Sequence, residues 1–236
     1  MQHIIDLIPT VRVLLIWSPI SALILWGAAR CAGTFWSRGV RTPYTRKIFH
    51  FIIFSSAAAI HFTAGIQATS VFGGVVALGV LFAVARGDGF PFYEALARPS
   101  DAPRRTFHVI VPLLATAVGG LAANFLAGPL APVGYLVGGW GDAVGEPVGT
   151  NWGRHRYQVP SVKGVKSTRS FEGSAAVFFA SLIAAAIGLA LLDQEQIFMR
   201  ALAVAIPVVI VEAVSPHGLD NFFVQVTAAG VAAWSL

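Results

Sequence analysis

Residues 173–192, GSAAVFFASLIAAAIGLALL, contain no charged side chain and decide the class of fold. A helix needs about 20 consecutive apolar residues to cross the hydrocarbon core of a bilayer, and this segment has that length. The whole chain of 236 residues is 56% hydrophobic and only 11% charged, a composition far from that of soluble domains. The sequence therefore predicts an integral membrane protein.

Seven further segments have, or nearly have, the length and composition of a membrane span. They lie at about 11–29, 48–64, 68–85, 107–126, 130–150, 197–214 and 222–236. The fifth of the eight segments along the chain carries two carboxylates and the last is short, so seven spans is an alternative to eight. We predict an all-α fold, a polytopic transmembrane helical bundle of seven to eight spans that forms one membrane domain over residues 1–236.

The basic residues predict the orientation of this bundle. With eight spans, fourteen of the sixteen Lys and Arg residues fall in three loops on one side of the membrane. By the positive-inside rule these loops are cytoplasmic and both termini lie outside. The expected cytoplasmic loops are at about 30–47, 86–106, 151–172 and 215–221. The net charge of +5 then reflects topology and contact with anionic lipids, and we expect no nucleic acid partner.

Residues 138–173, GGWGDAVGEPVGTNWGRHRYQVPSVKGVKSTRSFEG, run into the charge-free segment and carry unusual polar groups. Two carboxylates, Asp142 and Glu146, are four residues apart and would share one helix face. Beside them, glycines recur at every fourth position and would form a smooth stripe: Gly141, Gly145, Gly149 and Gly153. Such a stripe serves either helix packing or the close approach of a ligand, and the two can coexist. An acidic pair at membrane depth indicates a functional site, because charges there are costly.

A basic loop and a helix start follow the acidic pair. Lys163, Lys166 and Arg169 precede Ser170, which is a candidate N-cap for the next helix. Glu172 either binds a metal or ligand or interacts with the helix dipole. Carboxylates for a metal, cations for phosphates and a helix N-terminus are the components that a nucleotide site requires.

Two similar sequences open the second and fourth apolar segments. Arg46-Lys47-Ile48-Phe49-His50 and Arg104-Arg105-Thr106-Phe107-His108 each place two cations at the membrane edge and a histidine one turn further. The cations either extend toward the interface alongside lipid headgroups or, with the histidines, contact a phosphate. Glu212, Asp220 and Asn221 are also predicted to lie at the cytoplasmic side of the membrane.

These motifs together resemble those of a known family. Asp142-x-x-Gly145-x-x-x-Gly149-x-x-x-Gly153, the basic loop and Arg169-Ser170-Phe171-Glu172-Gly173 resemble the CTP-binding motif of the dolichol kinase and phytol kinase family. That family phosphorylates long-chain isoprenoid alcohols from CTP and is related to phosphatidate cytidylyltransferases. The resemblance covers roughly residues 40 to 225. The family usually has Ala in place of Gly145, and two lysines before the Ser or Thr in place of Thr168-Arg169.

The resemblance implies a site for CTP, a divalent cation such as Mg²⁺ and a membrane-dissolved alcohol. Asp142 would hold the metal with Glu146 or Asp220, and either Asp142 or Asp220 would take the alcohol proton. The residues implied in nucleotide binding are Gly149, Asn151, Gly153, Lys163, Lys166, Arg169, Ser170, Glu172 and Gly173. Those implied in substrate or phosphate contact are Arg46, Lys47, His50, Arg105, His108, Glu212 and Asn221. A bacterial inner membrane, with the site on its cytoplasmic side, is the expected location, and homo-oligomerisation stays open.

Two alternatives remain at this point. A cytidylyltransferase that makes CDP-diacylglycerol would use the same nucleotide, although Ser215-Pro216-His217-Gly218 only faintly resembles the corresponding signature of those enzymes. A small ion-coupled transporter would use Asp142 and Glu146 as an ion site at a broken helix. The absence of an inverted repeat in the sequence argues against the transporter.

Overall fold

The computed structural model describes residues 8–160, 167–216 and 218–234. The chain forms two compact units, Met1–Ile110 and Val111–Leu236, which we call the first unit and the second unit. The single membrane domain expected from the sequence stays a prediction.

The first unit is built mainly from two long helices, α1 (Val11–Ser37) and α2 (Thr42–Arg86). Gly65 interrupts the helical geometry of α2 with a φ of 78°, a conformation that glycine adopts without steric cost. A short helix, α3 (Pro91–Leu96), and a 3-10 turn at Pro99–Asp101 follow. Helix α3 packs against both α1 and α2, so the segment after α2 is ordered against the two long helices.

The second unit is a helical bundle with a small hairpin. Helix α4 (Phe107–Ala127) begins in the first unit and continues here, and a 3-10 turn at Gly128–Leu130 leads to α5 (Ala131–Trp152). Strands β1 (Arg156–Val159) and β2 (Ser167–Ser170) pair antiparallel. Three helices complete the chain: α6 (Phe171–Ala190), α7 (Ile197–Val214) and α8 (Asp220–Trp234). Helix α6 packs between α5 and α7, and α8 packs against the same two helices.

This architecture confirms an all-α membrane protein, and each of the eight predicted segments lies largely within a helix. Over the described residues, five helical stretches are long and apolar enough to cross a membrane. Two of them, Thr42–Arg86 and Phe107–Trp152, have 45 and 46 residues and each holds two predicted segments. Helix α8 has only 15 residues. The number of spans therefore stays a prediction.

The helices extend beyond the apolar segments from which they were predicted. The loop expected at residues 30–47 shrinks to residues 38–41, because α1 and α2 continue through polar residues at their ends. Hydropathy detects only the part of a helix that suits lipid, and a helix can continue past it. The hairpin and α3 were not predicted, since short polar strands and single helical turns carry little periodic signal.

Candidate active site

The glycine stripe of α5 is a packing face against α6. A Cβ atom at Gly145 would lie 2.3 Å from Cγ2 of Val177, and one at Gly141 would lie 2.9 Å from Oγ of Ser181. Neither position has room for a side chain, so the missing Cβ atoms allow the two helices to approach closely. A nucleotide-binding role for Gly149 and Gly153 stays a prediction, as does one for the exposed Asn151 at the end of α5.

The start of α6 is capped as the sequence predicted. Oγ of Ser170 accepts a hydrogen bond from the backbone N–H of Gly173 over 3.1 Å, which confirms Ser170 as the N-cap. Oε1 of Glu172, in the first turn, lies within hydrogen-bond distance of Nδ1 of His155, at 2.7 Å. This contact joins the residue before β1 to the first turn of α6. The hairpin is therefore fixed at both ends to the N-terminus of the helix.

Arg169 lies between two carboxylates, one at the end of α7 and one at the start of α8. Its Nη1 is 2.7 Å from Oε1 of Glu212, and its Nη2 is 2.8 Å from Oδ2 of Asp220. The three side chains are only 12%, 14% and 11% exposed, respectively. Three elements that are distant in sequence thus meet at one guanidinium group, directly before the cap of α6.

The electrostatics of this cluster keep Arg169 charged. Burial lowers the pKa of Arg169, but Glu212 and Asp220 outweigh burial and raise it above its ordinary value. Asp142 acts in the same direction on the same pKa. The carboxylate of α5 that the sequence singled out is therefore part of the electrostatic environment of Arg169.

Asp220 is also held by the backbone at the start of α8. Its Oδ1 accepts hydrogen bonds from the N–H groups of Gly218, at 3.2 Å, and Asn221, at 3.0 Å. Nδ2 of Asn221 donates to Oγ1 of Thr116 on α4 at 2.9 Å. Sequence reasoning missed Gln225, which is 1% exposed and donates to the carbonyl of Asn221. A glutamine within an apolar segment is itself a signal of a specific polar contact.

The first unit holds the remaining predicted contact residues. Arg105 pairs with Asp88 at 2.7 Å and Glu94 at 2.5 Å, and it also donates to the carbonyl of Ala97. Arg105 therefore stabilises the segment between α2 and α4. The other predicted residues lie near the helix starts: Lys47 and His108 are buried, whereas Arg46 and His50 are half-buried.

Two sets of predicted roles stay untested, those of the loop lysines and those of the metal ligands. Lys163 and Lys166 lie outside the described residues. Within the described ranges, no group of three or more His, Cys, Asp or Glu side chains is arranged to hold a metal ion. The metal-binding roles of Asp142, Glu146 and Asp220 stay predictions.

The architecture and the charged cluster define a polytopic helical membrane protein with a polar site at helix ends. The sequence is 29% identical over 229 residues to a phytol kinase of Synechocystis sp., and the similarity covers 89% of the chain and 92% of the relative. This near full-length similarity supports a relationship with the phytol and polyprenol kinase family, as the motifs indicated. No protein-family model and no solved structure matches the chain.

Proposed function

We propose that this protein is a CTP-dependent kinase that phosphorylates a membrane-embedded isoprenoid alcohol, such as phytol, geranylgeraniol or a polyprenol. The similarity to a phytol kinase supports an isoprenoid alcohol kinase. The observation that carries the proposal furthest is the buried Arg169, held by Glu212 and Asp220 next to the capped start of α6. A cation beside a helix N-terminus is a favourable environment for phosphate oxygens.

The proposed reaction transfers the γ-phosphoryl group of CTP to the hydroxyl oxygen of the alcohol. The new bond joins phosphorus to that oxygen, the bond from the γ-phosphorus to the β–γ bridging oxygen breaks, and CDP leaves. The alcohol proton passes to a carboxylate. Such a reaction requires alignment and neutralisation of charge more than covalent participation of the protein.

The residues divide between these tasks. Arg169 and the N–H groups at the start of α6 would bind phosphate oxygens, with Lys163 and Lys166 as further candidates. Either Asp142 or Asp220 would take the alcohol proton. Three hydrogen bonds occupy the two oxygens of Asp220, so this carboxylate would also keep Arg169 in position.

The proposed reaction also uses a divalent cation, which we propose to be Mg²⁺. Mg²⁺ commonly takes one or two carboxylates and completes its coordination with phosphate oxygens and water, so a cage of protein ligands is not required. The donor chemistry of Asp142, with Glu146 or Asp220, fits that mode. When bound, the ion would neutralise charge on the triphosphate.

The test uses purified protein with CTP radiolabelled at either the α- or the γ-phosphate. Phytol, geranylgeraniol, a polyprenol and diacylglycerol are supplied as acceptors in separate reactions. We expect γ-label in the lipid product, α-label in soluble CDP, and no product when a chelator removes divalent cations. Transfer of the α-label to a lipid would instead establish a cytidylyltransferase. No labelled lipid from any acceptor would contradict both enzyme assignments.

A further inference from the structure

Arg169 meets its two carboxylate partners in different ways. Its Nη2 donates a hydrogen bond of 2.8 Å to Oδ2 of Asp220. Its Nη1 lies 2.7 Å from Oε1 of Glu212, but it forms no aligned hydrogen bond with any group in the part of the chain that the structure describes. The contact with Glu212 is therefore an ion pair without hydrogen-bond geometry, whereas the contact with Asp220 combines an ion pair with a hydrogen bond.

The carboxylate of Asp220 is fixed in place. Its other oxygen, Oδ1, accepts hydrogen bonds from the backbone N–H groups of Gly218 and Asn221. Asp220 is also the first residue of α8, where the N-terminal end of the helix dipole favours a negative charge. Moving this side chain would break three hydrogen bonds and remove the charge from a favourable position.

The carboxylate of Glu212 is less restrained. Its Oε2 atom is buried and has no hydrogen-bond partner among the described residues. Glu212 lies in the last turn of α7, where the C-terminal end of the helix dipole disfavours a negative charge. Its side chain also has one more rotatable bond than that of an aspartate. Of these two partners of Arg169, Glu212 is therefore the one that can move away at the lower cost.

A donor and an acceptor are thus left unsatisfied in one buried contact, namely Nη1 of Arg169 and Oε2 of Glu212. Buried polar groups are nearly always paired with protein, water or a bound molecule. A guanidinium group forms strong, charge-assisted hydrogen bonds with phosphate oxygens, whereas a carboxylate repels them. A phosphate group and Glu212 therefore cannot both occupy the position that faces Nη1.

We propose that Glu212 and a phosphate group of the nucleotide compete for Nη1 of Arg169. Without nucleotide, Glu212 and Asp220 together compensate the charge of Arg169. When nucleotide binds, a phosphate oxygen replaces Glu212 at Nη1, and Asp220 keeps its contact with Nη2. This inference rests on the proposed role of Arg169 in binding phosphate. It gives Glu212 a role opposite to the substrate or phosphate contact that the family resemblance implied.

The exchange has two consequences. Glu212 lowers the apparent affinity for nucleotide, because only the fraction of the protein in which this side chain has moved away can bind. The exchange also couples the nucleotide to α7, because the ion pair joins this helix to strand β2, directly before α6. Binding of the nucleotide would release the end of α7 from β2.

The first test measures binding of CTP and of inorganic triphosphate by the full chain in phosphatidylcholine nanodiscs, without alcohol and with a chelator. Under these conditions neither phosphoryl transfer nor metal coordination contributes. We expect Glu212→Gln to bind both probes about tenfold or more tightly than the parent protein, the usual size of one contact with a charged group. A purely structural role of Glu212 would not produce tighter binding, because loss of a structural contact weakens a site.

Two controls separate this competition from a general effect of charge. Glu195→Gln removes a negative charge from an exposed position between α6 and α7 and should change the affinity by less than about twofold. In an Arg169→Gln background, Glu212→Gln should also change the affinity by less than about twofold, because the coupling between the two sites is then absent. Equal tightening in both backgrounds would overturn the proposal, since the repulsion would act without Arg169.

The second test uses the parent protein and does not depend on the folding of a variant. Solid-state NMR with isotope-labelled Glu, Asp and Arg measures the distances between carboxylate and guanidinium groups. On addition of triphosphate we expect the distance between Glu212 and Arg169 to increase, the distance between Asp220 and Arg169 to stay constant, and a phosphorus–nitrogen coupling to appear at Nη1. The pair of Glu94 and Arg105 in the first unit is the internal reference and should not change.

The proposal is overturned if Glu212→Gln binds the probes no more tightly than the parent protein, or if neither protein binds them. It is also overturned if the contact between Glu212 and Arg169 persists in the parent protein with triphosphate bound. Binding by Glu212→Gln alone would support the competition. Neither test measures phosphoryl transfer, so transfer of the γ-label by a protein that keeps this contact would leave the proposed function intact. Exchange without transfer would support the competition and contradict the proposed function.

Discussion

Arg169 and Glu212 form an ion pair of 2.7 Å between the strand before α6 and the last turn of α7. Both side chains are largely buried, so the pair is shielded from the water that weakens most ion pairs at protein surfaces. Removing one partner of a buried pair leaves an uncompensated charge and typically costs about 3–5 kcal/mol. The pair therefore fixes where the cation next to the α6 cap can lie.

Substitution of Arg169 should weaken the interaction with the nucleotide more than the interaction with the lipid alcohol. We expect Arg169→Ala to raise the KM for CTP more than the KM for the alcohol, because the lost cation is proposed to contact phosphate. Arg154→Ala is a control in the same loop, where the side chain is exposed, and should leave both values nearly unchanged. Steady-state kinetics with each substrate varied in turn provide the measurement. An equal rise in both KM values would argue for a general structural role.

Asp142→Asn should remove activity without unfolding the protein. Loss of a group that stabilises charge in a transition state commonly lowers the rate 100-fold or more, equivalent to about 3 kcal/mol. The turnover of the purified variant, with its melting temperature as a check on folding, gives the result. Glu195→Gln is the control, because Glu195 is an exposed carboxylate between α6 and α7. Normal turnover by Asp142→Asn would place the reacting groups elsewhere.

Gly145→Ala should destabilise the second unit. The new methyl group would lie 2.3 Å from Cγ2 of Val177, a branched side chain with little freedom to rotate. Overpacking of this kind costs about 1–3 kcal/mol, measurable as a lower melting temperature in detergent. Gly230→Ala on α8 is the control, since nothing lies within 4 Å of its added methyl. Adding Val177→Ala should restore stability, and failure of that rescue would contradict the packing account.

The contact between Glu94 and Arg105 should make the segment between α2 and α4 sensitive to acid. Burial raises the pKa of Glu94, but hydrogen bonds from Arg105 and from the N–H of Gly89 outweigh burial and lower it below 4.5. A lowered pKa in the folded protein gives stability that is present above 4.5 and is lost as the pH falls through the folded value. Glu94→Gln should therefore weaken the segment at neutral pH and have little effect in acid.

Hydrogen exchange of the Gly89 amide, compared between Glu94→Gln and the parent protein at each pH, measures this effect. Asp88→Asn is the control, because Asp88 pairs with the same arginine but is 80% exposed. Exposed pairs contribute about 0–1 kcal/mol, so this variant should behave nearly as the parent does. A difference between Glu94→Gln and the parent that stays constant into acid would contradict the ion-pair explanation.

The predicted orientation can be tested with thiol labelling of intact cells. Cys31 is the only cysteine in the chain and is expected on the cytoplasmic side, so an impermeant reagent should label it only after lysis. Gln194→Cys in a Cys31→Ser background should be labelled without lysis, because the loop between α6 and α7 is expected outside. The reverse pattern would invert the topology.

The sequence alone determined the class of protein and the approximate location of its long helices. Long apolar runs such as residues 173–192 require a helix in lipid, because every backbone polar group must be satisfied within the segment. The N-cap of α6 could also be predicted from the sequence, since Ser170 caps the helix that it immediately precedes. The spacing of the motif around Asp142 also carried the family resemblance.

Only the tertiary structure decided which polar groups meet. Arg169 and Asp220 are separated by 51 positions in the sequence, and no local pattern reveals that one guanidinium group takes two carboxylates from different helices. The same holds for Arg105, whose guanidinium group takes carboxylates from Asp88 and Glu94. Periodicity reports which face of a helix is apolar, whereas the partner of a buried charge depends on long-range packing.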